Sequence, residues 1–254
     1  MPNACAKFSL VLIFFIAGFQ LTALAQATVL KADIAFIVKT TGTADQFLLN
    51  ELTNLDYTYE IITESEITAT DFSQYKMILV DNQKFTNPNA IPLELHKSLI
   101  LNSYHYYRKS TTDYQWGLSV EQGSRSSPAV LKVRDFQSEI TAGISEQFNA
   151  YSVTNPDIKA YYLKGQKPIG TDIIISTSSE PADAIIATLD KGKILLNGKT
   201  LQERSLFFGI TNAQYWTGET KHLFNNSLSW VLIGADFDHD GYFSETDCND
   251  EDSE

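Results

Sequence analysis

The stretch Ala32-Asp-Ile-Ala-Phe-Ile-Val38 decides the fold class of this chain. It is apolar except for Asp33, and an apolar run of this length is typical of a strand that is buried on both faces of a parallel sheet. A capping box follows directly, at Thr43-Ala-Asp-Gln46. It predicts a helix over residues 44–55. A strand that leads into a helix is the repeating unit of an α/β domain.

The predicted helix places Phe47, Leu48 and Leu52 on one apolar face. Further β-rich runs bounded by polar turns predict strands at residues 57–62, 77–81, 96–102, 129–134, 148–153, 160–163, 171–176 and 205–209. A short helical turn is expected at 71–75, and residues 104–127 are expected to form a long surface loop. The order of these elements predicts a mostly parallel sheet with helices on both faces.

The second half of the chain carries two further signals. Residues 182–189 and 191–197 predict a hairpin that turns at Asp190-Lys-Gly192. Residues 219–233 predict an amphipathic helix with Leu223, Leu228, Trp230 and Val231 in the core, and Gly234 is a suitable C-cap.

Three stretches resemble the class I glutamine amidotransferase-like fold, in its trehalose-utilisation-like branch. They are Asp71-Phe-Ser-Gln-Tyr75 before a strand, Leu189-Asp-Lys-Gly-Lys-Ile-Leu195, and Ser205-Leu-Phe-Phe-Gly-Ile210 followed by Trp216 and Leu223-Phe-Asn-Asn-Ser-Leu-Ser-Trp230. The resemblance covers about residues 31–234 and implies a flavodoxin-like α/β domain.

An active amidotransferase needs a cysteine nucleophile on a tight, glycine-flanked turn. The sequence has no cysteine between Cys5 and Cys248. Ser103 could act as a nucleophile with His105 as its base, but the flanking glycines of a nucleophile elbow are missing. Polar residues on a loop after a strand are the simpler interpretation, and the sequence predicts no catalytic residue.

The C-terminal stretch Asp236-Phe-Asp-His-Asp-Gly-Tyr-Phe-Ser-Glu-Thr-Asp247 has the spacing of a calcium-binding loop. Its alternating carboxylates can surround one Ca²⁺ ion, and Gly241 permits the sharp turn that brings the later oxygens round. The predicted ligands are Asp236, Asp238, Asp240, the carbonyl of Tyr242, Ser244 directly or through water, and Asp247. The alternative is an acidic tail that binds no ion.

The same stretch, with Asp247-Cys-Asn-Asp-Glu-Asp252 after it, is similar to the short Asp-rich metal-binding repeats of secreted bacterial and archaeal proteins. It also resembles the calcium repeats of dockerins and thrombospondin type 3 segments. The resemblance covers about the last 19 residues and implies an EF-hand-like calcium loop.

The start of the chain predicts export. Lys7 precedes a mostly apolar run at residues 8–19, and small residues follow up to Ala27. This is the pattern of a secretory signal peptide that is cleaved after Ala25 or Ala27. No other hydrophobic segment of the mature chain is long enough to span a membrane.

Charge is distributed unevenly along the chain. The net charge is −12, and residues 236–254 hold nine acidic residues and no Lys or Arg. This asymmetry favours a cation as ligand and argues against nucleic acid as partner.

The sequence therefore predicts a signal peptide (1–27), an amidotransferase-like α/β domain (28–235) and a calcium-binding repeat (236–254). The expected protein is secreted and non-catalytic, and it binds Ca²⁺ and an extracellular protein or glycan partner. The alternative is an extracellular carbohydrate-active hydrolase with a site at the carboxyl edge of the sheet, around Thr41, Asp81, Asn102 and Ser103.

Overall fold

The computed structural model describes residues 30–110 and 113–233. Within them, eleven strands form one sheet and two α-helices pack against it. The strands are β1 Ala32–Val38, β2 Tyr59–Thr63, β3 Tyr75–Val80, β4 Ser98–Ile100, β5 Glu121–Ser126, β6 Val130–Val133, β7 Gln147–Asn149, β8 Lys159–Lys164, β9 Asp172–Thr177, β10 Ala184–Leu189 and β11 Ser205–Phe208. The helices are α1 Gln46–Asn54 and α2 Gly218–Ile233.

The sheet has a parallel half and an antiparallel half. The order β2-β1-β3-β4-β11 is parallel at every step. From β11 the sheet continues as β10-β9-β6-β7 with antiparallel pairing, and β8 joins β10 to β5. The prediction of a mostly parallel sheet thus holds for the first half and is wrong for the second.

Alternating side chains of the central strands enter two separate cores. Phe36 and Leu79 lie in one core with the buried residues of both helices, while Ile37 and Val80 lie in the other. The period of two residues in a strand produces this division. Both α-helices therefore pack on the same face, and helices on both faces are a wrong prediction for the described residues.

The second face is covered by 3-10 turns and irregular loops. Phe72, Phe85, Tyr106 and Trp116 pack there against the sheet. The connection after β3 reads Thr86-Asn-Pro-Asn-Ala-Ile-Pro92, and its prolines disfavour an α-helix in this position. A 3-10 turn, Pro88–Ala90, forms instead.

α1 begins later than the sequence predicts. Asp45 is the N-cap, and its Oδ1 accepts hydrogen bonds from the backbone N–H groups of Phe47 and Leu48. Thr43 belongs to the preceding 3-10 turn, Thr41–Thr43. Phe47 is 49% exposed, and Leu49 packs in the core in its place.

The predicted hairpin at residues 182–197 is also wrong. β10 pairs instead with β9 and with β11, the next strand in the chain. Every residue of β10 is buried, and the buried strand Ser205-Leu-Phe-Phe208 lies beside it. Lys191 and Gly192 are exposed and lie in the connection between these two strands.

β5 lies inside the segment predicted to be a loop. Its sequence, Glu121-Gln-Gly-Ser-Arg-Ser126, is polar and largely exposed, so it has no apolar pattern to identify it. It is held by antiparallel pairing along β8. The ring of Tyr162 occupies the space that a Cβ at Gly123 would take.

None of the helices at 30–110 and 113–233 has the length and apolar character needed to cross a membrane.

Gly209 lies where β8 passes the end of β11. Its N–H donates to the carbonyl of Ile185, and its own carbonyl accepts from Tyr161 N–H, both at 2.8 Å. An added Cβ would lie 1.9 Å from the carbonyl oxygen of Tyr161. We expect Gly209→Ala to lower the free energy of unfolding by roughly 3 kcal/mol, because backbone atoms must move to make room.

Urea unfolding followed by tryptophan fluorescence measures this loss. Gly42→Ala is the matched control, since a Cβ there meets nothing within 4 Å. Equal midpoints for the two variants would contradict the close approach at Gly209.

Candidate functional site

Parallel neighbours in a sheet end at the same edge, and ligands of open α/β sheets bind at that carboxyl edge. Asp81 follows the last residue of β3, and Asn102 and Ser103 follow β4 by two and three residues. All three side chains are buried. The structure therefore brings together three of the four residues named for this edge from sequence.

The Asp81 carboxylate is the centre of the cluster. Its Oδ1 accepts from Asn82 N–H at 2.7 Å. Its Oδ2 accepts from Gln83 Nε2 at 2.7 Å and from Asp45 N–H at 3.2 Å. Burial raises the pKa of Asp81 to about 6, and these three hydrogen bonds oppose the shift only in part.

Gln83 links Asp81 to the loop after β1. Its Oε1 accepts from Lys39 N–H at 2.7 Å and from the Thr43 hydroxyl at 2.6 Å. Its Nε2 also donates to the Thr43 carbonyl at 2.7 Å. The predicted site residue Thr41 is exposed in this loop, and Thr43 makes the contacts to the cluster instead.

Asn102 forms hydrogen bonds with backbone groups on two chain segments. Its Nδ2 donates to the carbonyls of Asp81 at 2.9 Å and Gln83 at 2.8 Å. Its Oδ1 accepts from the N–H groups of Tyr104 at 2.8 Å and His105 at 3.1 Å. The residue is fully buried, so it holds the turns after β3 and β4 together.

The Ser103 hydroxyl is oriented by Asn82. Both the hydroxyl and the backbone N–H of Ser103 donate to Asn82 Oδ1, at 2.8 and 2.9 Å. Burial raises the pKa of Tyr161, and a hydrogen bond with the Ser103 side chain lowers it to a smaller extent. Gln122 Nε2 donates to the Ser103 carbonyl at 2.9 Å.

His105 does not act on Ser103 in this geometry. Its Nε2 accepts from Phe85 N–H at 2.9 Å, and its Nδ1 lies 3.0 Å from Gln115 Oε1. Because Nε2 is an acceptor, the ring proton is on Nδ1 and is donated to Gln115. Burial lowers the pKa of His105, which favours this neutral form. The ring also packs edge-on against Trp116.

Sequence reasoning missed several members of this cluster. They are Asp45, Asn82, Gln83, Gln122 and Tyr161. Asn82 and Gln83 directly follow the end of a predicted strand, which was an available signal. Gln122 and Tyr161 lie on β5 and β8, which tertiary pairing alone brings close to Ser103.

The predicted calcium ligands, Asp236, Asp238, Asp240, Tyr242, Ser244 and Asp247, lie outside the described residues, as does the predicted signal peptide. Within 30–110 and 113–233, no group of three or more His, Cys, Asp or Glu side chains is placed to hold a metal ion.

The raised pKa of Asp81 gives a testable dependence of stability on pH. The folded state holds this proton more tightly than the unfolded chain does. The resulting stabilisation is therefore complete below the ordinary pKa of 3.8 and is lost as the pH rises through about 6. A shift of this size corresponds to about 3 kcal/mol.

Asp81→Asn removes the titration. We therefore expect the parent to lose stability relative to this variant as the pH rises. The difference between their free energies of unfolding should fall by up to about 3 kcal/mol between pH 4 and pH 7. Urea unfolding at four pH values measures it, with the exposed Asp157→Asn as control. A difference that stays constant with pH would show that Asp81 titrates normally.

No protein-family model matches the chain, and no curated protein matches it. Solved structures do match its fold. A ThuA-like protein from Bacteroides uniformis matches with a TM-score of 0.53 and 15% identity, over 80% of this chain and 93% of that chain. A GMP synthase component from Thermoplasma acidophilum matches with a TM-score of 0.50 and 11% identity, over 79% of this chain and 94% of that chain.

Identities this low establish the fold alone. Residues 30–110 and 113–233 form a sheet-dominated mixed α/β domain whose fold is similar to these structures. This confirms the predicted amidotransferase-like fold, but not the mostly parallel sheet or the helices on both faces.

Proposed function

We propose that this protein is an exported, non-catalytic binding protein, in which an amidotransferase-like α/β domain precedes a calcium-binding segment at residues 236–254. The proposal joins two arguments. One concerns the chemistry of the carboxyl edge, and the other concerns the spacing of the C-terminal carboxylates.

The hydrogen bonds of Ser103 and His105 are the observation that carries the first argument. The Ser103 hydroxyl donates to Asn82 Oδ1, and a serine nucleophile needs a base in that position. His105 would have to release Phe85 N–H or Gln115 before it could accept a proton. Each such release leaves a buried polar group unpaired, which costs about 1–3 kcal/mol.

The polar groups around Asp81 support the same conclusion. Across the described ranges, every buried side-chain nitrogen or oxygen of this cluster has a hydrogen-bond partner within the chain. A carboxyl edge whose groups bind one another is suited to holding the strand ends in place. It offers no general base and nucleophile pair for a substrate.

The calcium segment is proposed from the sequence and from its place in the chain. The described part of α2 runs to Ile233, three residues before Asp236, so a helix precedes the Asp-rich stretch as in helix-loop calcium sites. Bound Ca²⁺ would neutralise part of the negative charge there and would order the segment for contact with an extracellular protein or glycan.

Calorimetric titration of the mature chain with Ca²⁺ tests the proposal. We expect saturable binding with a Kd of about 10⁻⁴–10⁻³ M, the range of extracellular calcium modules. The double variant Asp238→Ala/Asp240→Ala should lose it, while Asp157→Ala, which removes one exposed carboxylate from the α/β domain, should not. Intact mass of the same preparation checks the expected cleavage after Ala25 or Ala27.

Flat titrations for parent and variants alike would remove calcium from the proposal and leave an acidic tail. Binding that survives in the double variant would place the ion elsewhere in the chain.

A second candidate, an extracellular carbohydrate-active hydrolase, has two observations in its favour. Asp81 is buried and has a pKa raised to about 6, which suits a carboxyl group that exchanges protons near neutral pH. The exposed ring of Tyr104 lies next to Ser103 in the chain and could stack on a sugar. Glycosidases generally need two carboxyl groups, however, and the nearby Asp45 carboxylate caps α1.

Assay of the protein on a panel of glycosides separates the two candidates. We expect no turnover above that of a heat-inactivated sample. Activity that disappears in both Asp81→Ala and Ser103→Ala, with circular dichroism unchanged, would make the hydrolase the better assignment.

A further inference from the structure

β2 is an outer strand of the sheet, and part of its backbone faces away from β1. In the parallel register Ile34 pairs with Tyr59, and Ile34 N–H donates to the carbonyl of Thr58. In such a ladder the backbone N–H and C=O groups of residues 58, 60 and 62 face β1. The backbone groups of Tyr59 and Ile61 therefore face outward. In the described part of the chain, these outward groups have no strand beside them.

A cleft of about 450 Å³ lies beside this edge, on the sheet face that carries Ile62. Its walls include Glu60 on β2 and Tyr75 at the start of β3. The far wall is the connection from β2 to β3, with Glu66 and Asp71. A strand added to β2 would place alternate side chains over this cleft.

The cleft is negatively charged. Three carboxylates, those of Glu60, Glu66 and Asp71, stand against one ammonium group, that of Lys31. Lys31 Nζ binds Glu60 Oε1 at 3.0 Å, so that ammonium is already engaged.

Hydrogen bonds keep these carboxylates ionised. The pKa of Glu60 is lowered by Tyr75 and Lys31, that of Glu66 by Thr63, and that of Asp71 by Ser73 and Gln74. Each acid therefore remains charged at neutral pH.

From the outward backbone of Tyr59 and Ile61 and the acidic cleft beside it, we propose that β2 binds an extended basic peptide segment of a partner protein as an added strand. Backbone hydrogen bonds to Tyr59 and Ile61 supply the register. A Lys or Arg of the partner enters the cleft toward Glu66 and Asp71.

A second copy of this chain fits the edge poorly. Pairing β2 with its own copy would bring two acidic clefts together on chains whose net charge is −12 each. Like charges across an edge oppose strand pairing. Charge complementarity therefore selects a basic partner.

The test uses the full chain and a fluorescein-labelled eight-residue peptide in which Lys alternates with Thr or Val. We expect saturable binding by fluorescence anisotropy. A peptide of the same length with Glu in place of Lys should bind at least tenfold more weakly. The same Lys peptide with alternate backbone amides methylated should also bind at least tenfold more weakly, because it cannot form the backbone hydrogen bonds of the ladder. Its charge is unchanged, so this peptide tests the ladder separately from the charge.

Ile61→Pro tests the edge from the protein side. Proline removes the outward N–H of residue 61, and an edge strand tolerates it there because that N–H makes no bond to β1. Ile61→Ala is the matched control, since it loses the same packing but keeps the N–H. We expect the affinity for the Lys peptide to fall at least tenfold in the proline variant and less than threefold in the alanine variant.

The proposal is overturned if the Lys peptide shows no saturable binding or binds no better than the Glu peptide. It is also overturned by methylated and unmethylated peptides of equal affinity, by an unchanged affinity in a folded Ile61→Pro variant, or by self-association of the parent, by sedimentation, that Ile61→Pro abolishes. If Ile61→Pro does not fold, the methylated peptide on the parent decides alone.

Discussion

Burial of the central strands on both faces is the constraint on which the rest of this structure depends. Every residue of β10 and β11 is buried, and β1 and β3 send alternate side chains into two cores. A strand of this kind has no solvent face on which to carry polar side chains. Its polar residues therefore lie where the strand ends, and parallel strands bring those ends to one edge.

The same burial determines the chemistry of that edge. Asp81, Asn102 and Ser103 are buried, so their polar groups need hydrogen-bond partners, which nearby side chains and backbone groups supply. Asn102 joins two turns, Gln83 joins the loop after β1 to Asp81, and Asn82 holds Ser103. The arrangement that stabilises the strand ends is also the one that engages the groups catalysis would need.

The outer strands β2 and β5 differ from the central strands in their burial and charge. β2 and β5 pair on one side only among the described residues, and both carry charged side chains. On β5 the polar pattern belongs to an exposed strand that β8 holds. On β2 the charges belong to an acidic cleft beside outward backbone groups. Edge charges protect against unselective pairing, and their sign also selects which partner can approach.

The sequence by itself determined the parts of the fold that rest on local pattern. The apolar run at β1, the later strands that have an apolar pattern and the helix before residue 236 could be located, because apolar spacing and caps act within a few residues. The candidate edge residues Asp81, Asn102 and Ser103 were found for the same reason, since they directly follow apolar strands. Asn82 and Gln83 lie just after the same strand as Asp81, so the same signal applies to them.

Tertiary structure alone decided the antiparallel half of the sheet, the side on which the helices pack and the partners of each polar group. β10 pairs with β11 across the connection at residues 190–204, which is longer than a local turn signal can predict. His105 is engaged through Phe85 and Gln115, residues that no local spacing connects to it. Local patterns predict which side chains are buried, whereas the packing of the whole domain decides what each of them meets.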